Sequence, residues 1–161
     1  RSRTHYYLSK LVIASLLSLF GIFVMTVIGM ISFSAVFGFG HVAGINHYVS
    51  FSFHSFGTLY VLILANVSIY VMISFLAKNS AISLIWSFLY TIGTGFGAGV
   101  FLQTKHFQQV TYWFTESFLF YSDFAKSTDI ARFPEMVLVS LITILISSTI
   151  GILLFKKADI K

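Results

Sequence analysis

The sequence contains no cysteine and only one proline among its 161 residues. Without cysteine, the chain cannot form disulfides or thiolate metal sites, and its redox compartment cannot be read from the sequence. Charged residues are also scarce: Asp, Glu, Lys and Arg make up 9% of the chain, whereas soluble domains carry about 25%. So few charges cannot cover a water-facing surface, which excludes an ordinary soluble domain.

The scarcity of charge leaves four long apolar runs uninterrupted. A transmembrane helix needs about 20 mostly apolar residues, because the backbone rises 1.5 Å per residue across roughly 30 Å of hydrocarbon. Between the ends of the four runs there is no Asp, Glu, Lys, Arg or His. The sequence therefore predicts an all-α polytopic membrane protein, a single membrane domain over residues 1–161 with four transmembrane helices: Leu11–Phe37, Gly57–Ala77, Ala81–Leu102 and Glu135–Phe155.

The basic residues gather at alternate ends of these runs. Lysine and arginine are retained in cytoplasmic loops, so their distribution predicts orientation. One set of ends holds seven of them: Arg1, Arg3, Lys10, Lys78, Lys156, Lys157 and Lys161. The opposite set holds three: Lys105, Lys126 and Arg132. This bias predicts that both ends of the segment and the turn at Lys78 are cytoplasmic.

The segment between the third and fourth runs is unusual. Val110–Phe120 is apolar and aromatic but too short to cross a bilayer, and it contains Glu116. Such a piece lies along the interface, or re-enters the membrane partway while covered by protein. The alternative is an ordinary aromatic belt, because Trp and Tyr favour the headgroup level. We predict an interfacial or re-entrant helix in this last outer loop.

The third run contains a glycine-rich motif. Residues 93–99 match G-x-G-x-x-[GA], but a dinucleotide site would need a preceding strand and a βαβ unit. Within an apolar span, Gly95 and Gly99 instead form GxxxG, with Thr91 one turn earlier, and predict a face for close helix packing. The alternative is local unwinding, because each glycine weakens a helix by about 1 kcal/mol relative to alanine.

One strongly polar side chain, Asn66, lies near the middle of the second run. A carboxamide in lipid must face other helices or a wet path. It can therefore mark a substrate route. It can also hold helices together through a hydrogen bond of about 0.6–2 kcal/mol.

The sequence lacks the residue patterns that several other functional classes require. His41, His47 and His54 are predicted in the first outer loop, and His106 begins the second. Their spacings are unlike a compact zinc site, so we expect no metal and no membrane-embedded haem. The charge of +5 forms no basic stripe interleaved with aromatics, so we expect no nucleic-acid partner. No G-x-x-x-x-G-K-[ST] loop and no buried acid–base pair is present. We therefore expect neither catalytic residues nor a cofactor in this chain.

Three short motifs at the basic ends resemble one family. Ser2–Lys10 (SRTHYYLSK) looks like the S-R-T-x-Y-x-x-x-K stretch before the third membrane helix of type-2 permeases of ATP-binding-cassette (ABC) transporters. Phe75–Ala81 resembles their tight inner turn between the fourth and fifth helices. Phe155–Ile160 is similar to their F-[KR]-[KR]-x-D-[IL] tail. The resemblance covers nearly the whole chain, and the order of the motifs carries it.

The resemblance implies that these residues are the C-terminal two-thirds of a six-helix permease, with the first two helices preceding Arg1. It also implies a homo- or heterodimer in a bacterial cytoplasmic membrane, and a cytoplasmic ABC ATPase subunit that holds ATP and Mg. The candidates for coupling to that ATPase are Arg3, Tyr7 and Lys10; alternatively, they are interface anchors and positive-inside charges.

Spans rich in Phe, Ile, Leu and Ser, without a fixed charge, favour export of a hydrophobic or amphipathic substrate such as a peptide, lipid or drug. The competing hypothesis is a non-transporting four-helix accessory or scaffold subunit of a membrane complex.

Overall fold

A computed structural model describes residues 3–38, 48–77, 79–102, 113–115 and 133–157. The described residues form four long helices and no strand: α1 (Arg3–Phe37), α2 (Tyr48–Ala77), α3 (Ser80–Leu102) and α4 (Phe133–Lys157). All four are long and apolar enough to cross a membrane. The prediction of an all-α polytopic membrane protein is confirmed.

Two helices begin earlier than their apolar runs. α1 begins at Arg3 rather than Leu11, and α2 begins at Tyr48 rather than Gly57. Once a helix is nucleated, each added residue gains a backbone hydrogen bond, so the helix continues past the lipid-facing segment. His54 therefore lies within α2, and its predicted place in a loop is wrong. At 35 residues, α1 is about 52 Å long, so it tilts or extends beyond the hydrocarbon.

The helix ends have recognisable caps. Gly38 ends α1 with φ of +77° and donates its N–H to the Ser34 carbonyl at 3.0 Å, in the left-handed position that glycine adopts most readily. The Asn79 side chain accepts the Ala81 N–H at 2.9 Å and caps the start of α3. Pro134 lies in the first turn of α4, where its missing N–H costs no intrahelical bond.

α2 is the central helix of the bundle. It contacts α1, α3 and α4, and its contact with α4 is the most extensive of any helix pair. In its apolar window 28% of the residues are buried, against 6% in α1 and in α3. The buried positions Thr58, Leu62, Ala65, Asn66 and Ile69 recur at helical spacing, so they form one continuous inner stripe.

The bundle is apolar outside and partly polar inside. Large hydrophobic side chains such as Phe20, Leu84 and Leu145 are exposed along the outer surface. In a bilayer this surface faces hydrocarbon, so its exposure costs nothing there. Most buried polar side chains instead hydrogen-bond one another or the backbone, although the Ser140 hydroxyl has no partner among the described residues.

Candidate functional site

Among the described residues, six polar side chains are buried inside the bundle, and we name them the polar layer: Thr58, Asn66, Ser68, Thr115, Ser140 and Ser147. Each carries a hydroxyl or a carboxamide, and none ionises near neutral pH. The polar layer can therefore hydrogen-bond a substrate or join helices, but it has no group for acid–base chemistry.

Asn66 lies in the middle of the span formed by Phe56–Ala77 and is 5% exposed. Its Nδ2 donates to the Leu62 carbonyl at 3.2 Å, within the same helix. Its Oδ1 accepts a hydrogen bond from Thr115 Oγ1 at 3.3 Å. The carboxamide is therefore satisfied on both sides, partly by a residue from the segment between α3 and α4.

The contact with Thr115 bears on the predicted outer segment Val110–Phe120, of which only residues 113–115 are described. Thr115 is buried, whereas Trp113 and Phe114 are exposed. A segment lying along the headgroups would remain about half a membrane thickness from Asn66. The hydrogen bond therefore agrees with the re-entrant form of the prediction, and the rest of the segment lies outside the described residues.

A second polar contact joins α2 directly to α4. The Ser68 and Ser147 hydroxyls lie 2.7 Å apart and both are buried. Each hydroxyl is also within hydrogen-bond distance of a carbonyl in its own helix: Ser68 of the Ala65 carbonyl at 2.6 Å and Ser147 of the Thr143 carbonyl at 2.7 Å. One serine can therefore donate to its own helix while it accepts from the other serine. Because serine is small, this pair allows the two backbones to approach closely.

The glycine motif of α3 remains helical throughout, so the local unwinding considered for it does not occur. Thr91 shares a hydrogen bond of 2.7 Å with the Tyr70 hydroxyl and so faces α2. Gly95 and Gly99 are only half-buried, while Ala98 between them is buried. A packing role for these two glycines stays a prediction.

A second notable region lies where the N-terminus of α1 meets the C-termini of α2 and α4. We name it the basic end, and its members are Arg3, Tyr6, Tyr7, Lys10, Phe75, Phe155, Lys156 and Lys157. Its centre is aromatic: Phe75 lies 4.9 Å from Tyr7 and 4.7 Å from Phe155, measured between ring centroids. Three helix ends therefore share one small core.

Tyr7 is the anchor of this core and is 0% exposed. Its ring lies directly on Gly151 of α4: a methyl group added at Gly151 would come within 2.7 Å of ring carbon Cε2. The Tyr7 hydroxyl has no hydrogen-bond partner among the described residues. The side chain therefore acts here as a large apolar body.

Arg3 holds the end of α4. Its Nη1 donates to the carbonyl of Lys156 at 2.8 Å and approaches that of Phe155 at 3.4 Å. Carbonyls in the last turn have no intrahelical partner and carry partial negative charge, which a guanidinium complements. Lys10 lies over the Tyr6 ring, with its Nζ 5.7 Å from the ring centroid.

The structure thus brings the three coupling candidates together at one end of the bundle and gives each an internal contact. Coupling itself stays a prediction for Arg3, Tyr7 and Lys10. The sequence reasoning missed Ser68, Ser147 and Gly151. Ser147 and Gly151 form a small-xxx-small pair, which is the signal that would have indicated them.

No group of three or more His, Cys, Asp or Glu residues occurs within the described ranges. His41, His47 and His106, on which the metal prediction depends, lie outside those ranges, and the side chain of His54 is also outside the description. The prediction concerning metal therefore stays as stated.

Comparison with known proteins gives a family but no function. Residues 1–161 match the model of a family described as "Protein of unknown function (DUF2705)". No curated protein and no solved structure matches the chain. The function must therefore be argued from the sequence pattern and the two regions described above.

Proposed function

We propose that this chain, which belongs to the DUF2705 family, is the membrane-spanning permease subunit of an ATP-driven ABC exporter. Its substrate is hydrophobic or amphipathic: a peptide, a lipid or a drug. In this proposal the chain pairs with a second permease subunit and couples to a separate cytoplasmic ATPase, which binds ATP and Mg. The basic end is cytoplasmic, and the membrane is a bacterial cytoplasmic membrane.

The observation that carries the proposal is the construction of the basic end. Arg3 and Tyr7 lie at the start of α1, and they hold α4 through the Lys156 carbonyl and Gly151. Phe75 adds the end of α2 to the same core. A displacement applied to the N-terminus of α1 by a cytoplasmic partner would therefore move α2 and α4 together. This is what a coupling site requires.

The polar layer supports the proposal because its hydrogen bonds close the contacts of α2 that such a movement would separate. Asn66 and Thr115 join α2 to the segment between α3 and α4, and Ser68 and Ser147 join α2 to α4. Separation of these elements would expose hydroxyls and a carboxamide at mid-membrane depth. Those groups suit the polar parts of an amphipathic substrate whose remainder stays in contact with apolar helix surface.

The scaffold alternative is favoured by one specific observation. The contacts of Arg3 and Tyr7 are made within the bundle, and the α2–α4 seam is closed at 2.7 Å between the two serine hydroxyls. A static accessory subunit needs such contacts and no moving path.

Affinity purification of the full-length protein from its native membrane distinguishes the two. We expect a P-loop ATPase to co-purify in stoichiometric amount, with ATPase activity that changes when the permease is present. Arg3→Gln should weaken this coupling, whereas Arg132→Gln, which removes the same charge at an opposite end, should not. Purification without any ATPase would support the scaffold.

Orientation is tested by single-cysteine labelling, for which the absence of native cysteine is an advantage. We expect Lys78→Cys to react only from the cytoplasmic side and Gln109→Cys only from the outside. Labelling of both from the same side would overturn the layout of the spans and the transporter proposal with it.

A role for the polar layer in transport is tested at Asn66. We expect Asn66→Leu and Thr115→Val to insert normally but to transport less. Thr149→Val is the matched control, because Thr149 is exposed and its hydroxyl bonds back to the Leu145 carbonyl of its own helix at 2.7 Å. Unchanged transport in Asn66→Leu would reduce the residue to interhelical packing.

A further inference from the structure

Charge is distributed very unevenly over the bundle. Every lysine and arginine in the described ranges belongs to the basic end: Arg3, Lys10, Lys156 and Lys157. The one acidic residue in those ranges, Glu135, lies in the first turn of α4, at the other end of the helix. The full sequence places three more basic residues at these same ends of the helices, Arg1, Lys78 and Lys161, and only one acidic residue, Asp159. The excess of positive charge is therefore strong and local.

The fold brings residues distant in sequence into this one cluster. The bond from Arg3 to the Lys156 carbonyl places the start of α1 beside the end of α4. The centroid of the Tyr6 ring lies 6.2 Å from that of the Phe155 ring. The Lys10 ammonium lies 5.7 Å from the same Tyr6 centroid. An exposed aromatic ring thus lies beside a lysine of α1 and against Phe155, which directly precedes the two lysines at the end of α4.

An apolar surface continues from this cluster along α1. Ile13, Leu17 and Phe20 are exposed, and they follow Lys10 after three, seven and ten residues, so they lie on the same side of the helix. A molecule with a negatively charged head and hydrocarbon tails could place its head among the lysines and its tails along this surface. Free phosphate or a nucleic acid would use only the first of these features.

We propose that the basic end binds the phosphate group of an anionic phospholipid. Lys10, Lys156 and Lys157 supply the cationic contacts, and Tyr6 packs against the glycerol region. Arg3 holds the ends of α1 and α4 together and thereby sets the spacing of the lysines. This site does not depend on transport, since it rests on charge and geometry alone.

The test is lipid binding to the purified full-length protein, measured by native mass spectrometry with phosphatidylglycerol and phosphatidylcholine. We expect clear preference for phosphatidylglycerol. A basic residue near a membrane surface typically contributes about fivefold to binding of anionic lipid. We therefore expect the triple variant Lys10→Gln, Lys156→Gln, Lys157→Gln to weaken phosphatidylglycerol binding at least about tenfold, with phosphatidylcholine binding unchanged.

The matched control is Lys105→Gln, Lys126→Gln, Arg132→Gln, which removes the same charge at the opposite ends and should retain the preference. Equal loss in both variants would mean that net charge alone attracts the lipid, and would overturn the site. No preference in the unmodified protein would overturn it as well. Displacement of the lipid by millimolar inorganic phosphate would show a free-anion site and contradict the role given to the apolar surface.

Discussion

The helices α3 and α4 both contain small residues, but they use them differently. α3 has four glycines in the run 93–99, and yet it contacts α2 less extensively than α4 does. α4 has one glycine, Gly151, and its buried serines Ser140 and Ser147 lie on the same side of the helix. Gly151 lies directly beneath the Tyr7 ring, which packs against the position where a side chain is missing.

The comparison shows that the number of small residues does not select the interface. A small residue permits close approach only where a partner of matching shape lies opposite. At Gly93 nothing lies within 4 Å of an added methyl group, so the missing side chain is not used for packing. At Gly151 the Tyr7 ring fills the space, and the aromatic core of the basic end depends on it. Three predictions break or sharpen this contrast.

The largest expected effect is that of Gly151→Ala. The added methyl group would overlap the Tyr7 ring, and overpacking of this kind typically costs about 1–3 kcal/mol, more than the intrinsic helix gain of alanine. We expect a lower midpoint of thermal unfolding in detergent, with loss of the contact between α1 and α4.

Gly93→Ala is the matched control for this variant. It makes the same substitution in a helix interior with open space around it. We expect stability that is unchanged or raised by up to about 1 kcal/mol. Equal destabilisation of both variants would show that helix flexibility rather than the Tyr7 contact controls the result.

An intermediate effect is expected for the hydroxyl pair at the α2–α4 seam. A double-mutant cycle with Ser68→Ala and Ser147→Ala isolates their interaction. Hydrogen bonds between membrane helices contribute about 0.6 kcal/mol on average and at most about 1.7. We expect the upper part of this range, because both hydroxyls are buried and lie 2.7 Å apart.

The corresponding cycle at the α2–α3 contact uses Tyr70→Phe and Thr91→Val, whose hydroxyls are also 2.7 Å apart but only partly buried. We expect a smaller coupling energy there, with both cycles measured by thermal unfolding in detergent. A larger value at Tyr70–Thr91 would reverse the ranking of the two interfaces.

The smallest effect is expected for Tyr7→Phe. The Tyr7 hydroxyl has no partner among the described residues, and an unsatisfied buried hydroxyl destabilises the folded state. We therefore expect a stability that is equal or slightly higher, with Tyr6→Phe as the exposed control. Loss of ATPase coupling in Tyr7→Phe at unchanged stability would assign a functional partner to the hydroxyl.

The architecture was largely predictable because lipid imposes it. Twenty apolar residues without charge in a chain of this composition must form a membrane-crossing helix, so the four spans followed from the positions of the charges. Their ends at Phe37, Ala77 and Leu102 agree with those of α1, α2 and α3. The predicted starts of α1 and α2 lie too late in the sequence. Hydropathy indicates only where a helix enters the hydrocarbon, whereas backbone hydrogen bonding determines where the helix itself begins.

The candidate site was only partly predictable. Asn66 was identifiable because a carboxamide in an apolar run is costly unless bonded. Its partner Thr115, however, comes from a distant segment with no such signal. Ser68 lies among many other serines in the spans, and its sequence context gives no reason to prefer it. Ser147 has the small-xxx-small spacing to Gly151 as its only signal.

The sequence by itself determined that the chain crosses a membrane four times and that its positive charge collects at alternate ends, because both follow from the cost of moving charge and bare backbone into hydrocarbon. Only the tertiary structure decided which helix is central, which glycine packs against an aromatic ring, and which polar groups contact one another inside the bundle. Those choices depend on the matching of shapes between helices, and hydropathy is the same for every arrangement that keeps the apolar surface in lipid.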